Sequence, residues 1–105
     1  AEAVTLAGHE FFTIESTPAV KATFQNNLKT EITNVSVVIR FDGQKTSVHF
    51  AAKTNIAPGM TEMHSGWGLA SGVKGIELAI NGYTTAEGTP YMIPEETLLW
   101  HSLSI

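Results

Sequence analysis

The sequence predicts an all-β domain, an antiparallel sandwich or barrel of about seven to eight strands. Two observations carry this. Apolar and polar residues alternate with period two in several separate segments, and turn residues fall between those segments about every 10–14 residues. No helical period runs longer than a turn.

In chain order, residues 1–8 are small and apolar and end on a glycine, a loose lead-in or a short edge strand. Glu10-Phe-Phe-Thr-Ile-Glu15 is the first expected strand, with Phe12 and Ile14 on one face and Phe11 and Thr13 on the other. Ser16-Thr-Pro18 punctuates it. Val20, Ala22 and Phe24 then alternate with Lys21, Thr23 and Gln25, which puts the first three inward. Asn26-Asn27 is a turn, and residues 28–33 link it onward over one edge.

The clearest signal is residues 34–50. Val35, Val37, Ile39 and Phe41 share one face of an extended strand, and Ser36, Arg40 and Asp42 share the other with Val38. Asp42-Gly43 signals a tight turn before Thr46-Ser-Val-His-Phe50 runs back. With a two-residue turn, Ile39 faces Thr46, Val37 faces Val48 and Val35 faces Phe50; a four-residue loop moves each partner by one pair but leaves every side chain on its face.

Residues 51–55 read as irregular, and Ile56-Ala-Pro-Gly59 as a turn. Met60-Thr-Glu-Met-His64 is expected as a short strand and Ser65 to Gly75, with its glycines around Trp67, as a loop. Ile76, Leu78 and Ile80 face inward from the next strand, which Asn81-Gly82 closes. Tyr83-Thr-Thr85, a turn at Glu87-Gly88, and Tyr91-Met-Ile93 before Pro94 follow. Thr97 to Ile105 is the last expected strand, with His101 on the face of Leu99, Leu103 and Ile105, and Leu98 and Trp100 on the other.

At 105 residues the chain is one domain, residues 1–105, able to bury a single core. Its ends suggest a processed chain or a piece of a longer protein, and the expected setting is secreted or at the cell surface. A net charge of −4, with Arg40 as the only arginine, leaves no basic stripe for phosphates and argues against nucleic acid. No apolar run approaches about 18 residues, the length a membrane-spanning helix needs. The absence of cysteine removes disulfides, thiolate nucleophiles and zinc–thiolate sites together.

Phe24-Gln-Asn-Asn27, then Ile32-Thr-Asn-Val-Ser-Val-Val-Ile-Arg-Phe-Asp-Gly43, then Ile56-Ala-Pro-Gly-Met-Thr61 form an order of strands and turns that resembles bacterial immunoglobulin-like accessory modules of the FxLYD kind. More loosely, the Ala-Pro-Gly turn before a strand and a glycine-rich segment is similar to cellulose-binding β-sandwich modules. The likeness covers residues 20–82. It implies an immunoglobulin-like sandwich that binds or spaces, and it brings no catalytic residues with it.

No catalytic constellation is legible. Asp42 is the only aspartate and occupies a turn, and Glu95 and Glu96 are adjacent, so an extended chain points them apart. His9, His49, His64 and His101 never fall at ligand spacing; His49, on the outer face of the hairpin, is the best placed for a surface metal or pH response, and no metal or cofactor is expected. A serine elbow and a phosphate loop are both missing. Asn34-Val-Ser36 is a formal glycan sequon that would matter in a eukaryotic secretory protein.

The candidate binding residues are Trp67, with Met63 and His64 nearby in sequence, and Trp100 and Tyr83. A tryptophan between two glycines either presents its ring to a sugar or a partner's pocket, or folds back as a lid on the core. Trp100 has the same two options, and Tyr83 and Tyr91 could cap the ends of the sheets. The expected role is a non-catalytic recognition or spacer module with a protein or glycan partner, using the Trp67 segment or the outer face of Ser36, Val38, Arg40, Ser47 and His49. A carbohydrate-binding module built on Trp67 and Trp100, and a subunit that self-associates through edge strands such as Thr97 to Ile105, are the alternatives.

Overall fold

The computed structural model describes residues 3–41, 44–49, 55–68 and 74–104, with the backbone alone described for residues 41, 44–49 and 61–68. Those residues form strands β1 (Val4–Ile14), β2 (Thr17–Asn26), β3 (Ile32–Phe41), β4 (Gln44–His49), β5 (Asn55–Ile56), β6 (Thr61–Gly68), β7 (Gly75–Thr85), β8 (Pro90–Met92) and β9 (His101–Ser104), with a 3-10 turn at Glu95–Thr97. All described pairings are antiparallel. One sheet has the order β1-β2-β6; the other runs β4-β3-β7-β8, with β5 on β3 and β9 also on β7.

The two sheets share one core. Val20, Ala22 and Phe24 of β2 meet Ile32, Val35, Val37 and Ile39 of β3 and Ile76, Leu78 and Ile80 of β7 in a single buried cluster. Apart from Ile32, which the sequence pattern places in a link and which here opens β3, these are the inward residues that the alternation predicts. Burying each large aliphatic or aromatic side chain contributes roughly 1.5–3 kcal/mol, so the cluster is the main source of stability. The central hairpin takes the two-residue register: Val37 pairs with Val48, Ile39 with Thr46 and Phe41 with Gln44. The Asp42-Gly43 turn and the Val35–Phe50 pairing lie outside the described residues.

Several expectations need correcting. The lead-in and first strand are one: β1 starts at Val4 and absorbs Ala7 as a bulge between Leu6 and Gly8. The alternation left open which of its faces is inward; it is that of Phe11, which pairs with inward Val20 and packs on the core, whereas Phe12 lies outside beneath the Lys21 ammonium at 5.4 Å. The strand beginning at Met60 does not stop at His64. β6 continues to Gly68 and includes Trp67, because β2 offers it an unpaired edge along its length; residues 69–73 of the expected loop lie outside the described residues.

Asn81-Gly82 does not end its strand. β7 passes through it as a bulge, with Val37 paired to Ile80 and Ser36 to Gly82, leaving Asn81 as the extra residue. The Ser36 hydroxyl donates to Asn81 Oδ1 at 2.6 Å. The last strand is shorter than expected. Pro94 opens the 3-10 turn, in which the Thr97 amide donates to the Pro94 carbonyl at 2.9 Å, and pairing with β7 resumes only at His101.

The β1–β2 hairpin turns on Glu15 (φ 49°) and Ser16 (φ 70°), both in the left-handed region, which is the two-residue primed geometry that Asn-Gly favours. A side chain with a Cβ costs about 1–2 kcal/mol there. Replacing Glu15-Ser16 with Asn-Gly is therefore expected to raise the unfolding free energy by about 1 kcal/mol, read as a higher urea midpoint with an unchanged slope. A lowered midpoint would show that the turn is not of this type.

Candidate functional site

Both β8 and β9 pair with β7, but at different stretches of it: β8 with 82–84 and β9 with 75–78. Between them the chain leaves the sheet. The Ile93 amide still donates to the Asn81 carbonyl at 2.8 Å, and then Pro94 turns the chain into the 3-10 segment. This excursion faces the start of β1, which is the edge strand of the other sheet. The result is an open cleft of about 480 Å³.

Its floor includes Val4 and Ile80; Tyr83, Tyr91, Ile93, Pro94 and Leu99 form much of its walls, with Thr5, Thr97 and His101 among its polar groups. Three residues per 3-10 turn place Pro94 and Thr97 on the same side, toward the cleft. Tyr83 and Tyr91, directly paired across β7 and β8, stack with centroids 5.6 Å apart and planes at 24°. Tyr91, Met92 and Leu99 are respectively 52%, 64% and 56% exposed, and all three belong to this cleft. Apolar side chains left in water around one concavity mark a binding surface, and the volume is in the range of small-ligand sites.

Of the residues singled out in the sequence, Tyr83 lines this cleft. Trp100 does not: its ring lies on the outer face of the larger sheet, 4.1 Å from the Arg40 guanidinium carbon, while Arg40 Nε donates to Glu77 Oε1 at 3.0 Å. Tyr83 packs toward the core, so it and Trp100 are on opposite faces of that sheet. Met63, His64 and Trp67 pair by backbone with Thr23, Ala22 and Val20, on the strand of the smaller sheet farthest from β1. Their side chains lie outside what the structure describes.

The outer face of β3 is more covered than its polar pattern suggests. Val38 and Ser36 are both buried, and Ala79, paired with Val38, is fully buried. On the same face the Trp100 ring stacks on Arg40, whose partner on β7 is Glu77. Asn34, the sequon asparagine, has φ 50° and a buried Oδ1 with no hydrogen-bond partner, and the sequon serine is buried against Asn81. That geometry works against glycan attachment to the folded chain. Among the described residues no group of three or more His, Asp or Glu is placed to hold a metal ion, and no helix is long and apolar enough to cross a membrane.

The cleft itself was not legible as a site. Its walls come from residues 3–5 and 80–101, and only the dense apolar run Tyr91-Met-Ile-Pro94 followed by Leu98-Leu99-Trp100, too apolar for a solvent-facing connection, hinted at it.

No protein-family model and no curated protein sequence matches the chain. Solved structures do share its fold. The structural-genomics target SoR45 is similar with a TM-score of 0.60 at 12% identity, over 98% of this chain and 87% of that one. A Bordetella pertussis protein provisionally named ApaA is similar with a TM-score of 0.56 at 14% identity, over 97% of this chain and 93% of that one. At such identities the likeness concerns the fold alone.

Proposed function

We propose that this chain is an immunoglobulin-like sandwich acting as a non-catalytic recognition module, exported or displayed as part of a larger protein, and that it binds through the cleft between β1 and the β8–β9 excursion. The strand order supports the architecture: β1-β2-β6 against β4-β3-β7-β8 follows the A-B-E and C′-C-F-G arrangement of such sandwiches. The observation that carries the binding role is the concentration of exposed Tyr91, Met92 and Leu99 around one aromatic-walled concavity.

The cleft suits an apolar or aromatic group. Its polar atoms are few, as orientation of a mainly apolar ligand requires, and the stacked tyrosine pair offers a flat ring face. The test is a fluorescence titration with 2-naphthylmethanol, a neutral aromatic probe. Saturable binding is expected, weakened about tenfold, or about 1.4 kcal/mol, in Tyr91→Ala. The variant should remain folded and lose only about 0.5–1.5 kcal/mol, the stack on Tyr83, because about half of Tyr91 is already exposed. No saturable binding, or equal binding by the variant, removes the cleft from the account.

A further inference from the structure

Main-chain bonds at the start of β1 fix which way its peptide groups face. The Asn27 amide donates to the Ala3 carbonyl at 2.9 Å. Asn26, the partner of Val4, directs its own groups to the far side instead: its amide donates to the Met60 carbonyl at 3.0 Å, and its carbonyl accepts from the Gly59 amide at 2.9 Å. Peptide groups alternate in direction along an antiparallel strand. Ala3 and Thr5 therefore turn theirs toward β2, while Val4 and Leu6 turn theirs away from it, to the open side of the sandwich where the cleft lies. Among the described residues β1 pairs with β2 alone. Val4 is only 5% exposed and lines the cleft, so a main-chain donor and acceptor without a strand partner are held at the edge of an apolar space.

The opposite side of the cleft repeats the arrangement. The Ile93 amide donates to the Asn81 carbonyl and the Thr85 amide to the Thr89 carbonyl, so Met92, one residue from the first of these pairs, turns its N–H and C=O away from β7. Free strand edges thus bound the cleft on both sides. Donor and acceptor pairs at every second residue are matched by another extended chain. With Val4 so nearly buried, its edge is reached through a cleft of about 480 Å³, which has room for a stretch of chain and its side chains but not for the edge of a second folded sheet. Resting on the proposed binding role of the cleft, we infer that its ligand is an extended polypeptide segment of another protein, added as a strand along β1 at Val4 and Leu6, with an apolar or aromatic side chain seated against Ile80, Tyr83 and Leu99. Main-chain pairing sets the register, and the cleft selects the side chain.

Three probes separate the terms: a short blocked peptide of alternating threonine and phenylalanine, the same peptide methylated at every main-chain nitrogen, and 2-naphthylmethanol, which needs no main-chain pairing. The first peptide is expected to bind saturably, and the methylated form at least about tenfold more weakly. Amide exchange supplies a readout that apolar contact alone would not produce. With the first peptide bound, the Val4 and Leu6 amides should exchange at least about tenfold more slowly, and the Thr5 amide, turned toward β2, at an unchanged rate. Equal binding of the two peptides, binding of naphthylmethanol but of neither peptide, or uniform slowing along β1 overturns strand addition and leaves the cleft reading standing. Slowing at Val4 and Leu6 that grows with protein concentration in the absence of peptide overturns it in favour of a second copy of the chain. If neither the peptides nor naphthylmethanol bind, both readings fall.

Discussion

Replacing Asn26 with alanine is expected to lower the unfolding free energy by about 2–4 kcal/mol, the larger of the two stability effects predicted from the fold. Asn26 ends β2 and is fully buried. Its side chain closes the turn at residues 26–30 and ties it to β5. Nδ2 donates to the carbonyl oxygens of Thr30 at 2.8 Å and Ile56 at 2.9 Å, and Oδ1 accepts from the Leu28 amide at 2.9 Å. The last of these is an Asx turn, which explains how an asparagine read from the sequence as a turn also belongs to a strand. Alanine removes all three bonds and leaves the buried Ile56 carbonyl without this donor, while the main-chain bonds from Asn26 N to the Met60 carbonyl and from Gly59 N to the Asn26 carbonyl can remain. For a domain of this size the loss corresponds to a fall in Tm of about 10–20 °C. Asn26→Asp is a sharper control. It keeps an acceptor for Leu28 but turns an oxygen toward the Thr30 and Ile56 carbonyls, so at neutral pH it should be no more stable than the alanine variant. Urea unfolding decides both, and an alanine variant within about 0.5 kcal/mol of the parent would show that these bonds are not formed in solution.

Gly82→Ala is expected to cost about 1–3 kcal/mol and to abolish binding of an apolar probe. A Cβ at Gly82 would lie 2.7 Å from the Tyr91 carbonyl oxygen, 2.9 Å from Met92 Sδ and 3.1 Å from Ser36 Oγ. The methionine can rotate away; the Tyr91 carbonyl is main chain and can move only by pushing β8 off β7. Since Tyr91 and Met92 line the cleft, a small displacement there distorts the site as well as the sheet. Gly8→Ala is the matching control, because nothing lies within 4 Å of its Cβ position, and it should change stability by less than about 0.5 kcal/mol. Comparable effects at Gly8 and Gly82 in denaturation and in probe binding would contradict the close approach of β8 to β7.

The strands were legible because period-two alternation reports which side of a strand is dry. Val35, Val37 and Ile39, like Val20, Ala22 and Phe24, lie where their alternation puts them, and the hairpin register follows from a two-residue connection. The misreadings share one physical cause. Asn-Gly and Gly-rich stretches are permissive of several backbone shapes, so Asn81-Gly82 makes a bulge as readily as a turn, and Ser65-Gly-Trp-Gly68 extends when a neighbouring edge is available to pair with it. Which of Phe11 and Phe12 faces in was left open, because two adjacent phenylalanines give no clue until the pairing of Phe11 with inward Val20 is known.

The cleft was hidden for a different reason. Val4 and Ala3 touch the same space as Tyr91, Leu99 and His101, almost the whole chain length away, and no local pattern encodes that meeting. What the sequence did contain was an excess of apolar residues between Tyr91 and Trp100 that a single strand face could not hold. Tyr83 was picked out among the candidates, while its stacking partner Tyr91, which carries most of the exposed ring, was read as a cap.

Amide chemical-shift mapping of 2-naphthylmethanol titrated into the labelled protein tests the binding surface most directly. Occupation of the cleft predicts concentration-dependent shifts at Val4, Thr5, Tyr83, Tyr91, Met92, Leu99 and His101, with β6 and the outer-face residues around Arg40 unmoved. Shifts centred on Met63 to Trp67, or around Arg40 and Trp100, with residues 91–101 silent, would contradict it.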